Sequence, residues 1–315
     1  MLAAKVEVYL KDYDNAMEHV DTVITANPTN SVIRAYKASL FILKEDLDNA
    51  IEEQKIATKN SPDALVFRTN LANLYLKKGD LESAKKEFQV LNKTHKDNID
   101  VMEVEGRIEF LAKNYQKASE LLLAVYRQKP VELVLLELLT SLEKTDRALL
   151  AINIINTLEN SSSNPLPIKV VLKKAELYTL TAPEKAIALY TKLESITNGH
   201  YMILNNLAWL YLKQGNHKQA LDKANSAIKS APNEVAIQDT YGVMLLSSGD
   251  KSRALEVLAK VYEATPTKAS YKVHYAEALL ENNDKSKAKE LIEGINKLDL
   301  DDDALTRLSK ITKRL

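Results

Sequence analysis

The chain has 315 residues, with 43 Lys plus Arg against 43 Asp plus Glu, no Cys, 7 Gly and 8 Pro. The balanced charge leaves no basic field to gather nucleic acid, and the lack of Cys excludes disulfides, thiolate zinc sites and cysteine nucleophiles. Scarce Gly and Pro among abundant Ala, Leu, Lys and Glu predict an all-α chain with short turns.

A period organises the chain. Ala16, Ala50, Ala84, Ala118, Ala186, Ala220, Ala254 and Ala288 lie on one 34-residue grid, whose single exception is Ile152. Twelve residues after a grid alanine come Pro28, Pro62, Pro130, Pro232 and Pro266, each where one helix ends and the next begins. Just before the alanines stand turn residues: Lys11-Asp12, Glu45-Asp46, Gly79-Asp80, Lys113-Asn114, Gly215-Asn216, Gly249-Asp250 and Asn283-Asp284. Gly accepts the left-handed conformation after a helix and Asp or Asn caps the next. Each period therefore reads as helix A, tight turn, helix B.

Taken in chain order, the first repeat begins part-way through its helix A, which points to further repeats ahead of it. The fifth repeat is irregular. Its apolar pattern fits better with Ala151 in the close-contact role and Thr145-Asp146 as the turn. Within it Val131, Leu133, Val134, Leu135, Leu136, Leu138, Leu139 and Leu142 exceed what one buried stripe needs. Either the repeat wraps this helix or part of it faces a partner, a homodimer being the simplest. Glu132 and Glu137 interrupt the run, and no stretch approaches the roughly 18 apolar residues that span a bilayer. A polar, proline-marked loop at 160–167 is the candidate joint in a chain that is either one domain over 1–315 or two halves, repeats 1–5 (1–159) and repeats 6–9 with a cap helix (160–315). That helix, at about 301–313, starts from the acidic run 299–303. Arg307, Lys310, Lys313 and Arg314 are expected to keep one side of it wet.

The clearest repeat reads Asn205-Asn206-Leu207-Ala208-Trp209-Leu210-Tyr211, then Gly215-Asn216, Ala220, Ala227 and Pro232. It resembles the tetratricopeptide repeat, with the small helix A residue at Ala38, Ala72, Gly106, Ala208, Gly242 and Ala276. The resemblance covers nearly the whole chain. It implies an α-α superhelix, a right-handed solenoid of about nine helix-turn-helix repeats plus a C-terminal capping helix, forming one continuous domain or two halves. Residues 205–209, with Asp239-Thr240-Tyr241-Gly242 and His274-Tyr275-Ala276-Glu277-Ala278-Leu279, also look like the large bacterial tetratricopeptide proteins encoded with PEP-CTERM/exosortase and exopolysaccharide systems. That likeness implies a periplasmic or cell-envelope assembly factor. Without it the expected location is cytoplasmic.

Enzyme chemistry lacks its parts. His19, His95, His200, His217 and His274 form no His-Glu-x-x-His and no pair at metal-ligand spacing, and no glycine loop suits a phosphate, so no cofactor, metal or catalytic residue is expected. Binding is different, because the family's A helices line a concave groove. The positions one turn apart on helix A are Thr69, Asn73 and Lys77; Glu103, Arg107 and Phe110; Asn205, Trp209 and Lys213; Asp239 and Val243; and His274, Glu277 and Glu281. We expect the groove to hold a protein or peptide through Asn73, Arg107, Asn205, Trp209, Asp239, His274 and Glu277. The alternative is a polysaccharide stacked on Trp209 and tyrosines. Trp209, the one tryptophan, is either an exposed anchor or half buried against the next A helix. Arg107 is the only arginine among these positions, so the family's clamp for a terminal carboxylate is not expected.

Overall fold

The structure, a computed structural model, describes residues 2–315. Helices are the only regular elements among them, and they divide into two compact units, Met1–Ser161 and Ser162–Leu315.

In the first unit five antiparallel pairs follow one another. They are α1 (Leu2–Tyr9) with α2 (Tyr13–Ala26), α3 (Ser31–Leu43) with α4 (Leu47–Asn60), and α5 (Leu65–Lys78) with α6 (Leu81–Thr94). Next come α7 (Ile99–Leu111) with α8 (Tyr115–Gln128) and α9 (Glu132–Glu143) with α10 (Ala148–Ser161). The second unit holds four pairs and a single helix. Its pairs are α11 (Ile168–Thr181) with α12 (Pro183–Ile196), α13 (Tyr201–Lys213) with α14 (His217–Ser230), α15 (Val235–Ser247) with α16 (Lys251–Ala264), and α17 (Ala269–Glu281) with α18 (Lys285–Ile292). The single helix is α19 (Asp302–Arg314). Odd-numbered helices up to α17 are the A helices of nine repeats and even-numbered ones the B helices.

The alanine grid is the line along which the two helices of a pair meet. All eight grid alanines are fully buried, and in the fifth repeat Ala151 is fully buried too. Where helix A carries glycine instead, the fit is closer still. A Cβ at Gly106 would stand 2.9 Å from Leu122 Cδ2, and one at Gly242 would stand 2.6 Å from Leu258 Cγ. Both leucines follow their glycine by one fixed spacing, so a larger B-helix residue is matched by a missing side chain on helix A. Between repeats the space is filled by larger apolar groups, such as Ile203, Leu207, Leu210, Tyr190 and Leu193 in one cluster.

The turns carry backbone strain unevenly. The residue before the cap adopts positive φ in eight repeats: besides Asp146 of the fifth, it is glycine at Gly79, Gly215 and Gly249 but Lys11, Glu45, Lys113 and Asn283 in four others. For these four side chains the left-handed conformation costs energy that glycine avoids. Asp12, Asp46, Asp80, Asp250 and Asp284 then accept a hydrogen bond from the backbone N–H three residues on, closing each B-helix N-terminus. The fifth repeat departs from the expected turn by one residue. Its left-handed residue is Asp146 (φ 56°), and Arg147 takes the cap position because the cap must stand four residues before the contact alanine, here Ala151.

Ion pairs repeat with the helices as well. Arg34 Nη1 meets Glu53 Oε2 at 2.9 Å and Arg68 Nη1 meets Glu87 Oε2 at 2.6 Å, each joining helix A to helix B of one repeat. On α19 the expected wet side is incomplete. Arg307 turns inward onto Glu277 of α17, and Asp303, four residues earlier on its own helix, pairs with it there.

Candidate functional site

Each unit carries a groove across its A helices. In the Met1–Ser161 unit α5, α7 and α9 are tied by one side chain. Arg107, buried on α7, donates from Nη1 to Asn73 Oδ1 at 2.7 Å and from Nε to Glu137 at 3.1 and 3.2 Å. Burial outweighs the neighbouring guanidinium, so the Glu137 carboxyl is pushed above its usual range. A cavity of about 600 Å³ opens beside this triad, lined among others by Ile42, Asn70, Lys77 and Leu133. Thr69 and Glu103 do not enter it. Thr69 is buried and returns its hydroxyl to the carbonyls of Leu65 and Val66, while Glu103 receives Lys129 Nζ at 2.9 Å. Phe110 packs edge-on against Tyr115.

Helix α9 answers the excess of apolar residues in 131–142. Val134, Leu135, Leu138, Leu139 and Leu142 are buried, whereas Val131 and Leu133 are exposed. Its Glu137, first met as an interruption of an apolar run, is the counter-ion of Arg107. A carboxylate inside such a run is the signal that a buried cation waits opposite.

The Ser162–Leu315 unit has a more heavily charged groove, of about 430 Å³, with Asn205, Trp209, Asp239, Thr240, His274 and Asp303 in its walls. At its floor lies His274 on α17, 4% exposed. Its Nδ1 donates to both oxygens of Asp239 on α15, at 2.8 and 3.0 Å. Its Nε2 stands 3.8 Å from Asp303 Oδ2 of α19, beyond hydrogen-bond reach, and is buried without an acceptor. Burial alone would lower the imidazole pKa, but Asp239, helped by Asp303, outweighs it and raises the value to about 9. His274 is therefore an imidazolium at neutral pH. Asp303 is held down at about 2, since His274 and Arg307 together overcome the cost of its burial.

Arg307 completes the network, donating to Asp303 Oδ2 and to Glu277 Oε2, both at 2.5 Å. Its guanidinium lies 5.9 Å from the ring centroid of Trp209. Trp209 is half buried, donates from Nε1 to Thr240 Oγ1 at 3.0 Å, and tilts against the His274 ring at 6.2 Å. Close by, Asn205 Oδ1 is the second buried polar atom without a partner. Of the residues selected from sequence, Asn205, Trp209, Asp239, His274 and Glu277 come together here, and Asn73 and Arg107 meet in the other unit. Val243 lies fully buried in the core instead. Glu137, Thr240, Asp303 and Arg307 were not selected. Asp303 and Arg307, four apart, carried a helical charge-pair signal, though nothing marked where they point.

Among the described residues no group of three or more His, Asp or Glu is placed to hold a metal ion, and no helix is long and apolar enough to cross a membrane. Comparison with known families gives three matches, each described as tetratricopeptide repeat, over residues 205–269, 245–310 and 67–89. Residues 67–89 and 205–310 thus match tetratricopeptide repeats, and the remaining helix pairs share the same fold. Solved structures with the same fold include the crystal structure of the APC/C hetero-tetramer Cut9-Hcn1. It matches at a TM-score of 0.60 and 12% identity over 94% of this chain, which spans 59% of the length of that one. A tetratricopeptide repeat protein from Parabacteroides merdae ATCC 43184 matches at a TM-score of 0.43 and 18% identity, over 90% of this chain and 98% of that one. No curated protein sequence matches. Neither these two structures nor the three family descriptions name an exosortase or exopolysaccharide system.

Proposed function

We propose that the chain is a non-enzymatic scaffold that holds an extended segment of a partner protein on the A-helix face of the Ser162–Leu315 unit. The observation that carries this reading is a pair of buried polar atoms on residues lining one groove beside Trp209: Asn205 Oδ1, without a hydrogen-bond partner within the protein, and His274 Nε2, which faces the Asp303 carboxylate at 3.8 Å but makes no hydrogen bond. Leaving such an atom unpaired costs about 1–3 kcal/mol. A peptide backbone relieves both, because it presents an N–H for the asparagine oxygen and a C=O for the imidazolium N–H. Tyr271 and Trp209 add apolar wall for side chains. The tetratricopeptide repeats support the same reading, and Cut9-Hcn1, whose fold this chain shares, is itself a hetero-tetramer.

A polysaccharide ligand fits less well. It needs an open aromatic face, and the Trp209 ring already has Arg307 over it and a filled hydrogen bond at Nε1. Placement in a bacterial cell envelope rests on the motif resemblance at 205–209, 239–242 and 274–279 alone.

The test is selection of linear 12-residue peptides from a displayed library on the full chain, with affinities read by Trp209 fluorescence. Binding that falls at least about ten-fold on Asn205→Ala, and is unchanged by Lys229→Ala on the exposed end of α14, supports the reading. Failure to select any peptide, indifference to Asn205→Ala, or glycan-array binding in the absence of peptide binding would sink it. Because Asn205 Oδ1 makes no bond inside the protein, the variant costs little stability.

A further inference from the structure

The groove of the Ser162–Leu315 unit is short of hydrogen-bond donors on the side of α19. The first turn of that helix brings Asp301, Asp302 and Asp303 into the groove wall. Asp301 Oδ1 is occupied, since it caps the helix by accepting from the Ala304 N–H at 2.8 Å. Asp303 Oδ2 is occupied as well, by Arg307. Among the described residues no donor of the protein reaches Asp303 Oδ1 or the exposed carboxylate of Asp302, whose backbone carbonyl alone is bonded, by Thr306. The field of a helix N-terminus accounts for acids at this place. It does not account for Asn205 Oδ1 on α13, a buried acceptor without a donor in the same groove. Separate helices thus present unfilled acceptors, which a ligand rich in N–H donors fills, and the acids favour one that is positive.

The cations already in the groove do not answer these acids. His274, 4% exposed, gives Nδ1 to Asp239, and its Nε2 stands 3.8 Å from the Asp303 oxygen that Arg307 holds. Lys268, just before α17, turns its ammonium onto Tyr271, 2.9 Å from the hydroxyl oxygen and 4.0 Å from the ring centroid. Lys213 is exposed and outside any ion pair among the described residues, but it ends α13, about 12 Å along the helix from Asn205. Helices α17 and α19 run parallel, as the pairs His274–Asp303, Glu277–Arg307 and Glu281–Arg314 require. The free acids therefore stand where the A helices begin, and the free cation stands where α13 ends.

We infer that the partner segment carries an arginine or lysine whose cationic head meets Asp302 and the free oxygen of Asp303, while its backbone runs past His274 to Asn205. The inference rests on the partner-segment reading above and specifies the chemistry of that segment. The probes are three pools of 12-residue peptides, random in uncharged residues, with Arg, Gln or Glu fixed at a central position. Retention of each pool on the immobilised full chain is measured. The Arg pool should be retained about five-fold over the Gln pool, and the Glu pool least. Changing Asp301→Asn together with Asp302→Asn should erase this preference and leave retention of the Gln pool as it was. Asparagine caps a helix as well as aspartate does, so this variant keeps the wild-type thermal melt by circular dichroism. The control removes two exposed acids from α16 of the same unit, Glu256→Gln and Glu263→Gln, and should leave the preference intact. An Arg pool retained no better than the Gln pool, a preference that survives in the double Asn variant, or one lost equally in the α16 control overturns the inference. Retention that falls in Asn205→Ala but shows no preference for arginine sinks this inference and leaves the partner-segment reading standing, whereas no retention of any pool sinks both.

Discussion

The guanidinium of Arg307, on α19, lies 5.9 Å from the ring centroid of Trp209, on α13, with α15 and α17 intervening in the repeat order. One side chain from the last helix thus reaches across the A-helix face to the only tryptophan, paired on the way with Glu277 and Asp303. Trp209 consequently reports on this unit alone, and its fluorescence follows the docking of α19. Arg307→Met leaves the two carboxylates without their cation in a poorly solvated site and is expected to destabilise the unit by about 3–5 kcal/mol. Chemical denaturation followed by tryptophan emission measures it. A loss below about 1 kcal/mol would mean that the pair is screened by solvent and that Arg307 does not hold α19.

A second prediction concerns pH. The folded His274 pKa of about 9 lies above the roughly 6.5 of an unfolded histidine, so its contribution is full below about pH 6.5 and is lost as pH rises through 9. The expected size is about 3 kcal/mol. Asp303 acts in the opposite sense: with a folded value near 2 it stabilises above about pH 4 and loses this contribution as pH falls through 2. Denaturation midpoints read by Trp209 should therefore plateau between about pH 4 and 6.5. They should fall on the alkaline side with a slope that disappears in His274→Gln paired with Asp239→Asn. An unchanged alkaline slope in that double variant would remove His274 as the source.

The strained turns can be relieved. Glu45→Gly and Lys113→Gly place glycine where φ is 61° and 63°, and each should stabilise the Met1–Ser161 unit by about 0.5–1 kcal/mol. The converse change Gly79→Ala, at φ 83°, should destabilise by about 1 kcal/mol. Far-ultraviolet circular dichroism melts suffice, with Trp209 emission as an internal reference for the other unit.

Gly242 tests the contact between paired helices. An added methyl would meet Leu258 Cγ at 2.6 Å, a branch point that cannot swing away in a fully buried leucine. Gly242→Ala should cost about 1–3 kcal/mol. Adding Leu258→Ala to that variant should recover part of the loss, because Ala208 and Ala224, at the same spacing, already pack in one core cluster in the preceding repeat. A double-mutant cycle with no coupling would refute the close-contact account.

How much of this was legible in the chain itself differs between its parts. The 34-residue grid of Ala16 through Ala288 predicts the helix pairs, because close helix packing admits only a small residue at that point whatever surrounds it. The register shift at Ala151 was equally readable, though its turn moved by one residue to Asp146. The groove was half readable: helical spacing put Asn205, Trp209, Asp239, His274 and Glu277 on one face. Arg307 read as a solvated residue, Glu137 as an interruption of an apolar helix, and His274 as a groove residue with no sign of its charge, because charge and burial are not properties of a position. They depend on which carboxylates the neighbouring helices bring within about 3 Å. The local pattern therefore determined the repeats, and only the packing of α15, α17 and α19 against one another decided that His274 is a buried cation and that Arg307 closes over Trp209.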